Sequence, residues 1–309
     1  MKKQNKILTG ITVLLITILF SCSKARIEKP TAPDINSNTD ESIELIKFVP
    51  LDSFFSAKLR KPEIFNYTFP YNSSQYYPKT TMGTVIASTK YIFTSFSGDT
   101  IDYPYIISVN EFYKIKDIIY TKHQPVYDDK LMSLFGIFTI SFSKDNFPLK
   151  IISRYGFRAD NHTTEIATDS LPIYKLSNEE WILSNNTFIG DSTAFYGQLN
   201  ITGWLLFGRE SNFNTTNYTK IKFTSNKYDL TNIGIYIVFS TKNTFTRVEN
   251  QESINLPVGE QAKLVAFGIT EEGQLYSFNK DIIIGEQTSY EIDLSITNDT
   301  SLSLILDSL

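Results

Sequence analysis

Phe65, Tyr67, Phe69 and Tyr71 recur at every second residue, with Asn66, Thr68 and Pro70 between them. A period of two puts all four rings on one side of an extended segment, whereas a helix would scatter them around its axis. Such a stripe has two uses. It can be core packing, or a staple across a domain edge; or it can be an exposed ligand platform on which a sugar stacks. The same period returns in Lys220-Ile221-Lys222-Phe223-Thr224. A longer apolar run, Leu131 to Phe142, reads as a strand pair or as one strand with Gly136 at a bulge. Ser97-Gly98-Asp99, Ser143-Lys144-Asp145-Asn146 and Glu271-Glu272-Gly273 supply turn chemistry between such runs. With 23 Phe and 18 Tyr beside many Thr, Ser, Asn and Ile, the chain favours strands over helices. An all-β protein, in the main, is therefore expected.

The first residues follow a different rule. Lys2, Lys3 and Lys6 are followed by a run from Ile7 to Phe20 that is apolar except at Thr9, Gly10, Thr12 and Thr17. A basic start and a short apolar stretch make a secretory signal. The run is shorter than the roughly 20 apolar residues that span a bilayer. It ends in Leu19-Phe20-Ser21-Cys22, which resembles a lipobox, with cleavage between Ser21 and Cys22 and lipidation of the Cys22 thiol. Each buried methylene of an acyl chain contributes ~0.8 kcal/mol, so two or more chains on Cys22 would tether the protein permanently. Ser23 to Ser42 is polar and carries Pro30 and Pro33, as a flexible tether would. The expected division is a signal over 1–21, a tether over 22–42, and two β-sandwich-like domains over 43–175 and 176–309. In that scheme Arg154 to Asn178 is a polar connection, and a second block of strands starts near Trp181. The expected location is the cell envelope, lipid-anchored to the outer membrane, with the periplasmic or surface face left open.

Composition excludes several functions. Loss of residues 1–21 removes three Lys and no acid, leaving 26 basic against 33 acidic residues, a net charge near −7. That argues against nucleic acid as a partner. Cys22 is the one cysteine, so its lipidation leaves no thiol for a disulfide, a nucleophile or a thiolate metal site. His123 and His162 are the two histidines, both in loop-like contexts that suggest solvated side chains. No G-x-S-x-G elbow, Walker loop or EF-hand is present. The acid doublets Asp128-Asp129, Glu179-Glu180 and Glu271-Glu272 read as solvated turns. Neighbouring residues on a strand face opposite ways, so no doublet is itself a glycosidase dyad. No catalytic residue, cofactor or metal site is expected.

Three stretches resemble a set of uncharacterised cell-envelope lipoproteins of Bacteroidetes type. The first is Ile107-Ser108-Val109-Asn110-Glu111-Phe112 leading through Asp117-Ile118-Ile119 to Leu131-Met132-Ser133-Leu134-Phe135-Gly136. The second is Gly203-Trp204-Leu205-Leu206-Phe207-Gly208-Arg209, where that group often has G-W-I-N-C-D-R-F. The third is Leu256-Pro257-Val258-Gly259-Glu260 running into Lys263-Leu264-Val265-Ala266. Together they cover residues 80 to 309. The resemblance implies a β-sandwich for the first stretch and carries no assigned reaction. The Asn-Cys-Asp of the second motif is Leu206-Phe207-Gly208 here, so any activity resting on those polar groups is lost.

Three D-[ST] steps resemble short O-glycosylation acceptors, which would use Thr100, Ser170 and Ser192. These readings point to a membrane-anchored binding, adhesion or scaffolding module, with envelope proteins or glycans as partners. Two others stand beside it: an accessory lipoprotein of an outer-membrane glycan-uptake complex, and a glycan- or peptide-directed hydrolase using acids such as Glu111 and Asp117.

Overall fold

Alternation of inward rings with outward polar groups builds the larger sheet. In β1 (Glu63–Tyr67), β2 (Val85–Ala87), β3 (Tyr105–Phe112) and β4 (Lys130–Lys144) the inward positions are Tyr67, Ile86, Ile107, Phe138 and Phe142. The computed structural model describes residues 45–68, 77–88, 92–163 and 170–309. Within them the protein is mainly β, with one large curled antiparallel sheet and several smaller sheets. The large sheet continues through β5 (Tyr155–Asp160), β6 (Leu171–Ser177), β7 (Glu180–Gly190), β8 (Ala194–Leu199) and β9 (Gly203–Glu210). Its strand order is β1-β3-β4-β9-β6-β7-β8-β5-β2.

The apolar run from Leu131 to Phe142 is one strand, not two. Its register against β9 shifts where Gly136 faces Phe207 and Leu134 faces Gly208. Phe135 is the extra residue of a bulge, next to the expected glycine. The sheet curls around an aromatic interior. Phe138 stacks on Phe207 with centroids 4.4 Å apart, and Phe157 on Phe188 at 5.3 Å. Curling brings the two edge strands face to face. The Tyr67 hydroxyl donates to the Ser88 carbonyl at 3.3 Å, Ser88 bonds Tyr105, and Thr84 donates to Glu111 at 2.6 Å.

The second body is a five-stranded antiparallel sheet built from β10 (Gly234–Phe239), β11 (Thr244–Arg247), β12 (Gln261–Ile269), β13 (Leu275–Ile283) and β14 (Ser295–Thr297). Ile237, Leu264, Ile221 and Ile292 fill the core beneath it. A third cluster joins the two bodies. It takes Phe55 from helix α1 (Asp52–Lys58), Ile118 and Ile119 from α2 (Ile115–Thr121), Met132 from β4, Phe267 from β12, and Leu302 and Leu306 from α3 (Asp299–Asp307). Asn243 brackets Leu134 between its own carbonyl and side-chain amide. Glu44–Leu309 is one compact unit.

Two expectations change here. The division at 175/176 falls inside β6, which is paired on both sides by β7 and β9. Arg154–Asn178 is not a connection: it contains β5 and β6. Tyr155, Phe157, Ala159, Leu171 and Ile173 all point inward, with Arg158, Asp160 and Lys175 turned away from the core. Within the block of strands expected from Trp181 onward, β8 and β9 are separated at Asn200–Thr202, and Gly203 takes φ +95°. Leu302 to Leu309 lies largely in helix α3, capped by the Asn298 side chain accepting from Ser301 N–H. The signal, Ser21, Cys22 and the tether lie outside the described residues.

Candidate functional site

Three tight hairpin tips, remote in sequence, line one groove. Asp128-Asp129 joins Tyr127 to Lys130, Asn178-Glu179 joins Ser177 to Glu180, and Asn250-Gln251 lies between Glu249 and Glu252. In each tip both central residues are left-handed, with φ between 50° and 68°. Such two-residue turns match the twist of the flanking strands, and Asn and Asp tolerate that conformation best. The groove between them has a volume of about 1780 Å³ and reaches Asp52 and Lys122 at the ends of the two helices. Two of the expected acid doublets, Asp128-Asp129 and Glu179-Glu180, thus belong to turns, and the turns bring them to one place. Glu271-Glu272 turns elsewhere, between Thr270 and Gln274.

Charge on the groove is mixed but weighted to acid. Lys122 pairs with Asp52, and Lys220 with Glu252 at 3.4 Å. Asp128, Asp129, Glu179, Glu180 and Glu249 then face Lys222 and Arg247. The wall is stiff. Gln124 accepts from Trp181 Nε1 on its carbonyl at 2.8 Å, and from the Thr246 hydroxyl and Arg247 N–H on its side chain.

His123 is not a solvated loop residue. Its ring lies edge-on to Trp204, with centroids 4.6 Å apart, and to Trp181 at 5.9 Å. Burial, aided by the Lys122 charge, pushes its imidazole down to about 4. The neutral ring is therefore the folded form, and its stabilisation is complete above the ordinary histidine range near 6.5. That stabilisation is lost as pH falls from 6.5 toward 4. An NMR titration of His123 should give a midpoint near pH 4. His123→Phe should remove on the order of 2 kcal/mol of the acid destabilisation measured by urea unfolding, after allowance for the ring's partial exposure.

The other expected residues are dispersed. Tyr67 is 4% exposed and Phe65 packs on the same core, so those two rings fill the interior and form no platform. Phe69 and Tyr71 lie outside the described residues. Thr100, Ser170 and Ser192 are exposed. Asp191 accepts from the backbone and hydroxyl of Thr193 and from Ala194 N–H, which accounts for that D-S-T as a turn between β7 and β8. Glu111, on β3, accepts from Thr84 at 2.6 Å and from the Tyr113 hydroxyl at 2.8 Å. Burial and that carboxylate hold the Tyr113 hydroxyl far above the usual tyrosine range. Asp117 sits on α2, its carboxyl raised by burial. Neither acid lines the groove. Among the described residues no group of three or more His, Cys, Asp or Glu is placed to hold a metal ion.

Comparison of the chain with protein-family models, with curated proteins and with solved structures finds no match.

Proposed function

We propose that this chain is a lipid-tethered protein of the cell envelope that binds a partner through the groove between the three hairpin tips. The groove itself carries the reading. It is large, open and polar, and it is built from turns held on two packed sheets, as recognition loops commonly are. Its surplus of carboxylates favours a partner that brings positive charge or many hydrogen-bond donors. The Leu19-Phe20-Ser21-Cys22 sequence supports the tether, and the three stretches that resemble Bacteroidetes-type envelope lipoproteins support the compartment. In this reading the signal and tether precede two β-sandwich-like halves, the curled sheet and the five-stranded sheet. The chain works by binding, adhesion or scaffolding, without nucleic acid or cofactor. An accessory role in an outer-membrane glycan-uptake complex is the second reading, supported by the same anchor.

A photo-crosslinking residue at Asn178, on a groove tip, should trap a defined partner in intact cells, identified by mass spectrometry. The same residue at Leu304, exposed on α3, should not. Charge reversal at Asp129 and Glu179 to Lys should abolish the Asn178 product while leaving the fold intact. The same products from both positions, or a product indifferent to the charge reversal, would count against the groove.

A further inference from the structure

Neighbouring strands of the curled sheet are joined by main-chain ladders, as many as eight residue pairs long between β4 and β9. The line where its edges meet is different. On one side lie β1 and β3. On the other lies a hairpin from Pro78 to Ser88, closed by Thr80 N–H donating to Thr84 and Ile86 N–H to Pro78. Among the described residues, the hydrogen bonds across this line run through side chains. Thr84 Oγ1 donates to Glu111, Ser88 bonds Tyr105, Tyr67 donates to the Ser88 carbonyl, and Glu63 accepts from both N–H and hydroxyl of Thr81. On its far side the hairpin pairs with β5 over only Val85–Ala87. His162 Nε2 and Arg158 hold its tip there through the carbonyls of Met82 and Gly83, at 2.8 and 3.3 Å.

What lies under the hairpin also differs from the rest of the core. Glu111 is 3% exposed, and its Oε1 has no hydrogen-bond partner among the described residues. A buried carboxylate oxygen left in that condition is costly. Breaking the Thr84 bond would let water reach both oxygens at once. Separation along this line thus gives back part of what it loses, which is not so where an apolar ladder opens.

We infer that the Pro78–Ser88 hairpin is a strap, latched by side chains to β1 and β3, that opens locally and presents the buried Glu111 and Tyr113 to solvent or to a ligand. The strap is separate from the groove: none of its residues lines that surface. Gly83 is part of the device. Its φ is +99°, which favours glycine, and an added Cβ would also displace the Asp160 carboxylate.

Carboxyl labelling of the full chain with a carbodiimide and glycinamide, read by mass spectrometry, tests this. Scaled to the labelling of the exposed Glu210, Glu111 should be far less protected than the Ile137 and Phe138 amides of β4 are, scaled to unprotected amide exchange, because those amides open only with the whole fold. Thr84→Val keeps the shape and removes the donor. It should raise Glu111 labelling about tenfold or more, the weight of one hydrogen bond to a charged acceptor, and leave the exposed Glu210 unchanged. Ser88→Ala should act in the same direction, and Thr84→Ser should behave as the parent. Comparison with β4 exchange in the same sample separates local opening from a loss of overall stability. Glu111 labelling that tracks β4 exchange in the parent and in both latch variants would overturn the strap.

Discussion

A fragment of residues 43–175 should show no cooperative unfolding transition, and the full chain should show one. The cut falls inside β6 and removes β9, which pairs with β4 over eight residue pairs. It also takes Phe188, Phe195, Leu199, Leu205 and Phe207 out of the aromatic interior. Burying such side chains contributes about 1.5–3 kcal/mol each. Their joint loss is comparable with the whole net stability of a domain, about 5–15 kcal/mol. The fragment would expose the free edge of the 15-residue strand β4, a template for aggregation. Circular dichroism and thermal melting of the purified fragment check this. A sharp transition matching a folded β protein would restore the division at 175/176.

Much of the strand content was legible because the inward residues are large and the outward ones polar. β4 declared itself by an unbroken apolar run, and the alternating stretch from Lys220 to Thr224 holds a strand over Lys222–Thr224. Strands β5 and β6 did not. In β5 the small Gly156 and Ala159 add little apolar weight, and in β6 Pro172 and the adjacent buried Ile173 and Tyr174 break the period of two. The continuity of the sheet across residue 175 rests on pairings between distant segments, β4 with β9 and β5 with β8, that no local pattern encodes.

The groove was hidden for the same reason. Asp128, Glu179 and Asn250 are each readable as turn residues, yet only the packing of two sheets sets their tips around one space. His123 shows a related limit. Thr121-Lys122-His123-Gln124-Pro125 looks like an exposed loop, and the two tryptophans that enclose the ring come from β7 and β9. Glu111 stood out only as an acid near the end of a strand. Its setting beneath Thr84 and beside Tyr113 exists because the sheet curls far enough for its edges to meet.

The lipid proposed on Cys22 should make the difference between a membrane-bound protein and a released one. The two acyl chains of a diacylglycerol bury tens of methylenes at ~0.8 kcal/mol each, far beyond what thermal release can overcome. The net charge of the chain after residue 21 is near −7, which repels anionic headgroups. Cys22→Ser should therefore leave the folded body intact and move it from the membrane to the soluble fraction. The direct measurement is the intact mass of the protein extracted from membranes. The account predicts a chain that begins at Cys22 and carries the added mass of a diacylglycerol. A chain that begins elsewhere, or one at Cys22 with no added lipid, would contradict it.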